Sequence, residues 1–346
     1  MENYLDFTLE QMKGLLSIDS PTGFTKGVVT YIQEQYQRLG YPVVCSNKGG
    51  VLVNLGGESS KGVILLAAHL DTLGAMVAEV KADGQLRVVP LGGLNANNVE
   101  TENCRVYTKG GAVYQGTCQL CNASIHVNGE YNKTKRDFDS VEIVLDEPVS
   151  SRAEVEELGI MTGDMVCFEP RTLVADNGYI KSRFLDDKLS AAILVGYAKY
   201  LREEKKQNLP MIYQYFTVFE EVGHGASALI PADVEETIAV DMGCVGKGLN
   251  CTEREVSICA KDSGGPYHYD IVNGLIQAAK QYEVKYAVDV YPYYNSDMGA
   301  VVKAGYDVKH GLIGPGVYAS HGYERSHKEG ILNTLKLING YILNKL

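Results

Sequence analysis

Val63-Ile64-Leu65-Leu66-Ala67-Ala68-His69-Leu70-Asp71 is the stretch whose reading decides the fold. Its apolar run has no polar interruption, as in a strand covered on both faces. It stops at a histidine and an aspartate. In open α/β sheets, ligand sites gather beyond the carboxyl ends of such strands.

Upstream, residues 7–18 carry Leu9, Met12, Leu15 and Leu16 at helical spacing, and Ser20-Pro21-Thr22-Gly23 ends the segment. A second helix fits 24–39, ending at Gly40, and short strands fit 41–45, 51–55 and 62–69. Downstream the texture changes. Short alternating runs at 76–80, 86–91, 105–107, 113–120, 124–127, 141–145 and 165–168 are split by turns such as Ala82-Asp83-Gly84 and Val127-Asn128-Gly129. That spacing predicts a small antiparallel barrel or sandwich, with one helix at 152–158. From Asp187 helices and strands alternate again: helices at 187–205, 266–282, 296–304 and 327–341, and strands at 212–219, 256–260, 286–291 and up to Asp241. The expected architecture is α/β: a mixed β-sheet flanked by helices over 1–71 and 182–346, interrupted by a β-rich domain at 72–181.

Composition narrows the function. The chain has 346 residues, 45% hydrophobic and 22% charged, with a net charge of −11. The acidic balance argues against nucleic acid or an anionic membrane as partner. No run approaches the roughly 18 apolar residues of a membrane span. Met1-Glu2-Asn3-Tyr4-Leu5-Asp6 lacks the apolar core of a signal peptide. The eight cysteines are scattered, so reduced thiols and a cytoplasmic location are expected.

Acids and histidines recur where apolar runs end: His69, Asp71, Asp186-Asp187, Glu220-Glu221, Asp241 and His321. Neutral nitrogens with several anionic oxygens suit a pair of divalent metals. His69 can donate one ring nitrogen, and Asp71 is placed to hold the other ring N–H. Of Asp186-Asp187, one carboxylate can bridge two metals while the other fixes local geometry. Glu220-Glu221 follows Tyr215-Phe216-Thr217-Val218-Phe219, and alternation along a strand would send one glutamate to metal and the other to substrate as general base. His321 follows the Gly-rich turn Gly314-Pro315-Gly316. His327 is a rival ligand or a cap of the last helix. His224 is a further candidate for acting on substrate, and Tyr293 and Tyr294 for lining its site. Cys118-Gln119-Leu120-Cys121 has no second pair to complete a zinc-ribbon pattern, and buried thiols are expected there.

Taken together, the motifs resemble the tetrahedral metallo-aminopeptidase family, the glutamyl and deblocking aminopeptidase group of the dinuclear zinc exopeptidase clan. The resemblance rests on Ala68-His69-Leu70-Asp71-Thr72-Leu73-Gly74, Pro90-Leu91-Gly92-Gly93, 153–160, Leu185-Asp186-Asp187-Lys188, Glu220-Glu221-Val222-Gly223 and Ser296-Asp297-Met298-Gly299-Ala300, in that order. It implies an aminopeptidase with two metals per subunit, zinc first and cobalt or manganese as alternatives. His69 and Asp241 would bind one metal, Glu221 and His321 the other, with Asp186 between them. Glu220 would be the general base and Asp71 the orienter of His69. Ser296 and Asp297 join His224 as candidate substrate contacts. The insertion would mediate self-association into a dimer or larger assembly, and peptides would be the substrates.

Departures from the family pattern are Thr72-Leu73 for the usual Glu-Ile, a shortened loop carrying His224, Met242-Gly243-Cys244 after Asp241, and His321-Gly322-Tyr323-Glu324-Arg325 for the usual His-Ser-Pro. Competing readings are a deacylase on the same centre and a binding protein retaining the fold. The intact Glu220-Glu221 pair disfavours the latter. A glycosidase usually needs only two carboxylates, so the histidine-containing set disfavours that chemistry.

Overall fold

The computed structural model describes residues 1–206 and 208–345. Met1–Asp71 with Arg171–Leu346 form one compact unit, and Thr72–Pro170 the other. The first unit begins with β1 (Val43–Cys45), β2 (Val51–Gly56) and β3 (Ser59–His69). The second carries β4 (Gly74–Val80), β5 (Leu86–Leu91), β6 (Asn103–Tyr107), β7 (Val113–Leu120), β8 (Val141–Leu145) and β9 (Met165–Phe168). The first unit then resumes with β10 (Leu173–Val174), β11 (Tyr179–Ser182), β12 (Pro210–Thr217), β13 (Glu236–Val240) and β14 (Gly243–Val245). It ends with β15 (Val256–Asp262), β16 (Gly265–Pro266), β17 (Tyr286–Val290), β18 (Lys309–Tyr318) and β19 (Glu324–His327).

The first unit is a mixed sheet in the order β1-β2-β12-β3-β13-β18-β19-β11-β10. Its centre is parallel: β12 and β13 flank β3, and β13 pairs with β18. The strand Val63–Ala68 predicted as doubly buried is buried residue after residue. Successive strand side chains face opposite ways, so both faces are covered there. Helices α1 (Leu5–Leu16) and α2 (Lys26–Arg38) precede the sheet. The inserted unit has the single α3 (Arg152–Glu157), capped by the Ser151 hydroxyl. Helices α4 (Leu185–Glu204), α5 (Tyr269–Gln281), α6 (Asp297–Lys303) and α7 (Lys328–Leu343) alternate with the later strands. Almost every residue of α4 from Leu185 to Leu201 is buried, so it is the central helix of the unit. No helix among the described residues is long and apolar enough to cross a membrane.

The second unit is a closed barrel, β4-β5-β8-β7-β6-β9, with β4 pairing back onto β9. Closure removes exposed strand edges. The alternation that signalled these strands puts Leu86, Val88, Val106, Cys118, Ile143 and Val166 inside.

Three expectations differ from the structure. Residues 124–127 form turns rather than a strand, with Ile125 and Val127 exposed, because no neighbouring strand receives them. The division at 181 falls instead after Pro170, since β11 pairs with β19 in the first unit's sheet. A short alternating hairpin reads alike at a sheet edge and in a barrel. Finally, Gly314-Pro315-Gly316 is no turn but the interior of β18. A Cβ on Gly314 would lie 1.3 Å from the Asp241 carbonyl oxygen, and one on Gly316 2.1 Å from that of Thr252. These glycines admit close backbone approach, and Gly314 does so beside a candidate ligand.

Candidate metal centre

Four parallel neighbours, β12, β3, β13 and β18, run to the same edge of the sheet, with Thr217 level with His69 and Val240 level with Ile313. Beyond that edge lie Glu220-Glu221, His69, Asp241 and His321. Asp186 and Asp187 arrive separately, at the start of α4. A cavity of about 220 Å³ there is lined by Asp186, Glu220, Glu221, Gly223, Asp241, Tyr293, Tyr294, Asn295 and His321.

Asp186 sits between the two imidazoles. Its Oδ1 is 3.1 Å from His69 Nε2, and its Oδ2 is 3.4 Å from His321 Nε2. His321 Nε2 is 3.7 Å from Glu221 Oε2, and His69 Nε2 is 3.8 Å from Glu220 Oε2. Ligand atoms of His69, Asp186 and Glu221 lie within 4.8 Å of one another, as do those of His69, Asp187 and Asp241. Asp187 therefore joins the centre. One of its oxygens accepts the His69 backbone N–H at 3.2 Å.

The two glutamates diverge for a reason other than strand alternation. β12 ends at Thr217, Phe219 adopts a left-handed conformation (φ 73°), and Glu220–Val222 form a short 3-10 turn. Asp71 holds that turn. Its carboxylate accepts the amides of Glu220 (3.1 Å) and Glu221 (3.4 Å) and the Thr22 hydroxyl (2.7 Å). The Asp71 carboxylate stands 3.8 Å from His69 Nδ1, whereas its backbone carbonyl stands at 2.8 Å. A carbonyl only accepts, so Nδ1 carries the proton and Nε2 faces Asp186.

Burial and charge crowd this centre. Burial, with Asp241, Asp297 and Glu221 adding to it and His69 opposing, pushes Glu220 well above the usual carboxylate range. Burial and the charge of Asp186 raise Glu221 to about 8 and Asp241 to about 7. Burial would raise Asp186 as well, yet hydrogen bonds from His321 and His69 hold it low. Burial would lower the imidazoles, but the Asp186 hydrogen bond and surrounding carboxylates raise His69 well above its ordinary value and His321 to about 10. Glu221 Oε1 and Asp187 Oδ1 are buried without a hydrogen-bond partner. Stranded oxygens and uncompensated negative charge are costly to bury. Divalent cations relieve both, so the donor set fits a metal pair.

The remaining candidates have other partners. His224 is exposed, stacks on Phe219 with ring centroids 5.2 Å apart, and is not among the cavity-lining residues. Ser296 caps α6 and meets the Tyr267 hydroxyl at 2.8 Å. Asp297 accepts the Thr217 hydroxyl and the Ala226 amide (2.8 Å), bracing the loop after the glutamates. His327 caps α7, accepting the Glu329 amide at 3.0 Å. Cys118 is buried, and the Cys121 thiol meets Glu142.

Two supports are absent from the sequence reading. Buried Glu324 accepts the backbone N–H of both Asp186 and His321, each at 3.1 Å. Lys48 Nζ donates to the His224 carbonyl, the Gly225 carbonyl (3.0 Å) and the Ser227 hydroxyl (3.0 Å). The inward alternation of Glu324 and Ser326 in β19 was the available hint for the first.

Comparison with known proteins gives the family. The family model described as M42 glutamyl aminopeptidase matches residues 49–337. "Putative aminopeptidase YhfE" of Bacillus subtilis (strain 168) is 43% identical over 338 residues, covering 97% of each chain. "Lysyl aminopeptidase" of Pyrococcus furiosus is 28% identical, covering 67% of this chain and 66% of its own length. The fold matches that of Pyrococcus horikoshii TET1 peptidase with a TM-score of 0.84 at 21% identity, over 97% of this chain and 99% of the other. That peptidase can assemble into a tetrahedron or a large octahedral shell. With a family model over most of its length and a relative so similar end to end, this chain belongs to the M42 family of metal-dependent aminopeptidases.

Proposed function

We propose that His69, Asp186, Glu221, Asp241 and His321 hold two divalent cations, zinc by preference, and that Glu220 is the general base for hydrolysis at peptide N-termini. The observation that carries this reading is the Asp186 carboxylate, one oxygen toward each imidazole, with Glu220 beside it. In this reading Asp187 supports the centre, since one oxygen is committed to the His69 amide. Cations bound there would polarise the scissile carbonyl and acidify a water.

The chain's own residues do the rest. Glu220 takes the proton of the attacking water and returns it to the leaving amine. The Asp71 carboxylate holds the Glu220–Glu221 turn in place, and the Asp71 carbonyl fixes the His69 tautomer. His224 belongs to the outer loop and would meet only the far part of a substrate. Ser296 and Asp297 act as supports behind the wall. Hydrolysis of aminoacyl-anilides with and without chelator, beside acylated amino acids and cellulose, tests the reading. Chelator-sensitive release of anilide, restored by added metal, is expected. Activity confined to acylated amino acids would establish the deacylase instead, and inertness on all three would leave a binding protein.

The barrel unit contributes no candidate ligand, and a shell-forming relative shares the fold. Self-association through residues 72–170 follows as part of the proposal, with peptides admitted and folded proteins excluded. The cytoplasm is the proposed setting. Light scattering should give at least a dimer; a fully active monomer would overturn this role for the barrel.

A further inference from the structure

Tyr294 lines the cavity beside Asp186, Glu220, Glu221, Asp241 and His321. Its hydroxyl is buried and makes no hydrogen bond of ordinary geometry, though it lies near enough to Asp241 to favour that carboxylate's charged form. The carboxylates whose charge it feels are Asp241, Asp186 and Glu220, alongside the Cys244 thiol. Nearby buried phenols are all engaged: Tyr291 with Ser257 and the Cys244 amide, and Tyr267 with Asp262 and Ser296. A buried donor so weakly engaged gains when a better-placed acceptor enters the cavity.

The backbone of Tyr294 is tied to Ser263. The Tyr294 carbonyl accepts both the amide (2.9 Å) and the hydroxyl (2.6 Å) of Ser263. Its ring meets Tyr291 edge-on, with centroids 5.1 Å apart. Neighbouring Tyr293 also lines the cavity but is 97% exposed. Tyr294, with Asn295 beside it, thus offers a neutral donor on a wall that also carries four acids and His321. Beside the cations proposed above, such a donor can add a direct hydrogen bond to the oxygen on which negative charge grows.

We propose that Tyr294 is a catalytic hydrogen-bond donor, its phenol O–H binding the scissile carbonyl oxygen as the carbonyl carbon becomes tetrahedral. The proposal rests on the peptidase reading above. As water adds to the carbon, its proton passes to Glu220. When the C–N bond breaks, that proton leaves with the amine. Tyr294 keeps its own proton throughout. A preorganised donor of this kind acts where charge develops and costs no reorganisation.

The test is Tyr294→Phe, which removes one oxygen and keeps the ring. In metal-loaded enzyme kcat should fall about 10²-fold, the loss typical of one such donor. KM should stay within about threefold, because the interaction strengthens only in the transition state. Affinity for an α-aminoboronic acid, which becomes tetrahedral on binding, should fall with kcat. Metal content and melting temperature should match the parent. Unchanged kcat and unchanged boronate affinity would overturn the proposal. A loss confined to KM would also do so, as would loss of metal or of thermal stability, since each assigns the phenol another role. If the parent enzyme itself cleaves no member of a peptide library, the peptidase reading falls first and takes this inference with it. A parent that cleaves beside an equally active variant removes the inference alone.

Discussion

Replacing Asp71 by Asn separates two accounts of one residue. If the carboxylate orients His69, the substitution should disturb the imidazole. In the structure the ring N–H goes to the Asp71 carbonyl, which asparagine retains, and the carboxylate serves Thr22, Glu220 and Glu221. In the Asp71→Asn variant one accepting oxygen becomes an NH2 group. The Thr22 hydroxyl can rotate to accept from it. The Glu220 amide keeps an oxygen, now uncharged, which weakens that bond by about 1 kcal/mol. The Glu221 amide, at 3.4 Å the longest of the set, faces a donor and loses its partner, costing about 1–3 kcal/mol. The sum is a loss of about 2–4 kcal/mol in folding stability. A loosened glutamate turn should lower kcat about 10–100-fold, as for other groups that orient a metal centre. Thermal melting and anilide hydrolysis measure both effects. Imidazole nitrogen NMR should still show His69 protonated on Nδ1. Thr22→Val should reproduce a small part of the melting loss, about 1 kcal/mol. A lost Nδ1–H signal in Asp71→Asn, with Thr22→Val indistinguishable from the parent, would refute the reasoning and restore the carboxylate-to-imidazole account.

Further outcomes follow from the same geometry. Glu220→Gln should retain metal but lose about 10²–10⁴-fold in kcat; near-parental turnover would remove it as the base. Asp186→Ala should lose both metals, while His69→Ala and His321→Ala each chiefly lose one. Elemental analysis after gel filtration decides this, and two retained metals in Asp186→Ala would exclude a bridge. Burial, then the charge of His268, holds His310 below the usual histidine value, with Asp262 opposing. A depressed folded pKa means stability that is present above about pH 6.5 and lost as pH falls through the folded value. Melting temperature should therefore decline from about pH 6.5 to 5, and His310→Gln should flatten that decline; an unchanged slope would show that His310 contributes nothing to it.

How much was legible in the chain depended on whether the cause was local. His69, Glu220-Glu221 and Asp241 were visible because an acid or histidine directly after a buried apolar run is improbable without something to receive it. The barrel was visible because alternation is local too. β18 was not, since Gly314, Pro315 and Gly316 read as a turn, and the two glycines admit the approach of Asp241 and Thr252 from other parts of the chain. The His69–Asp71 relation was half legible. Spacing placed the two residues together, but β3 ends at His69, so the chain turns and offers a carbonyl where a carboxylate was expected.

The parallel strands settle the relative positions of only three of the segments that meet at this centre. Register along β12, β3 and β13 sets where Glu220-Glu221, His69 and Asp241 emerge. Asp186 has no such constraint, because it enters from the start of α4, where Phe184 is left-handed and the Asp186 backbone is not yet helical. His321 also lies past the end of β18, at a left-handed φ of 62°. These are the two residues whose side chains must face each other, and Glu324 accepts the backbone N–H of both. Burial, and then the charge of Asp186, raise the Glu324 carboxyl well above its usual range, while the two amides and His321 oppose that rise. A carboxylate in such a place is unfavourable on its own. Its position is explained if its work is to tie Asp186, which the sheet does not place, to His321, which has left the sheet.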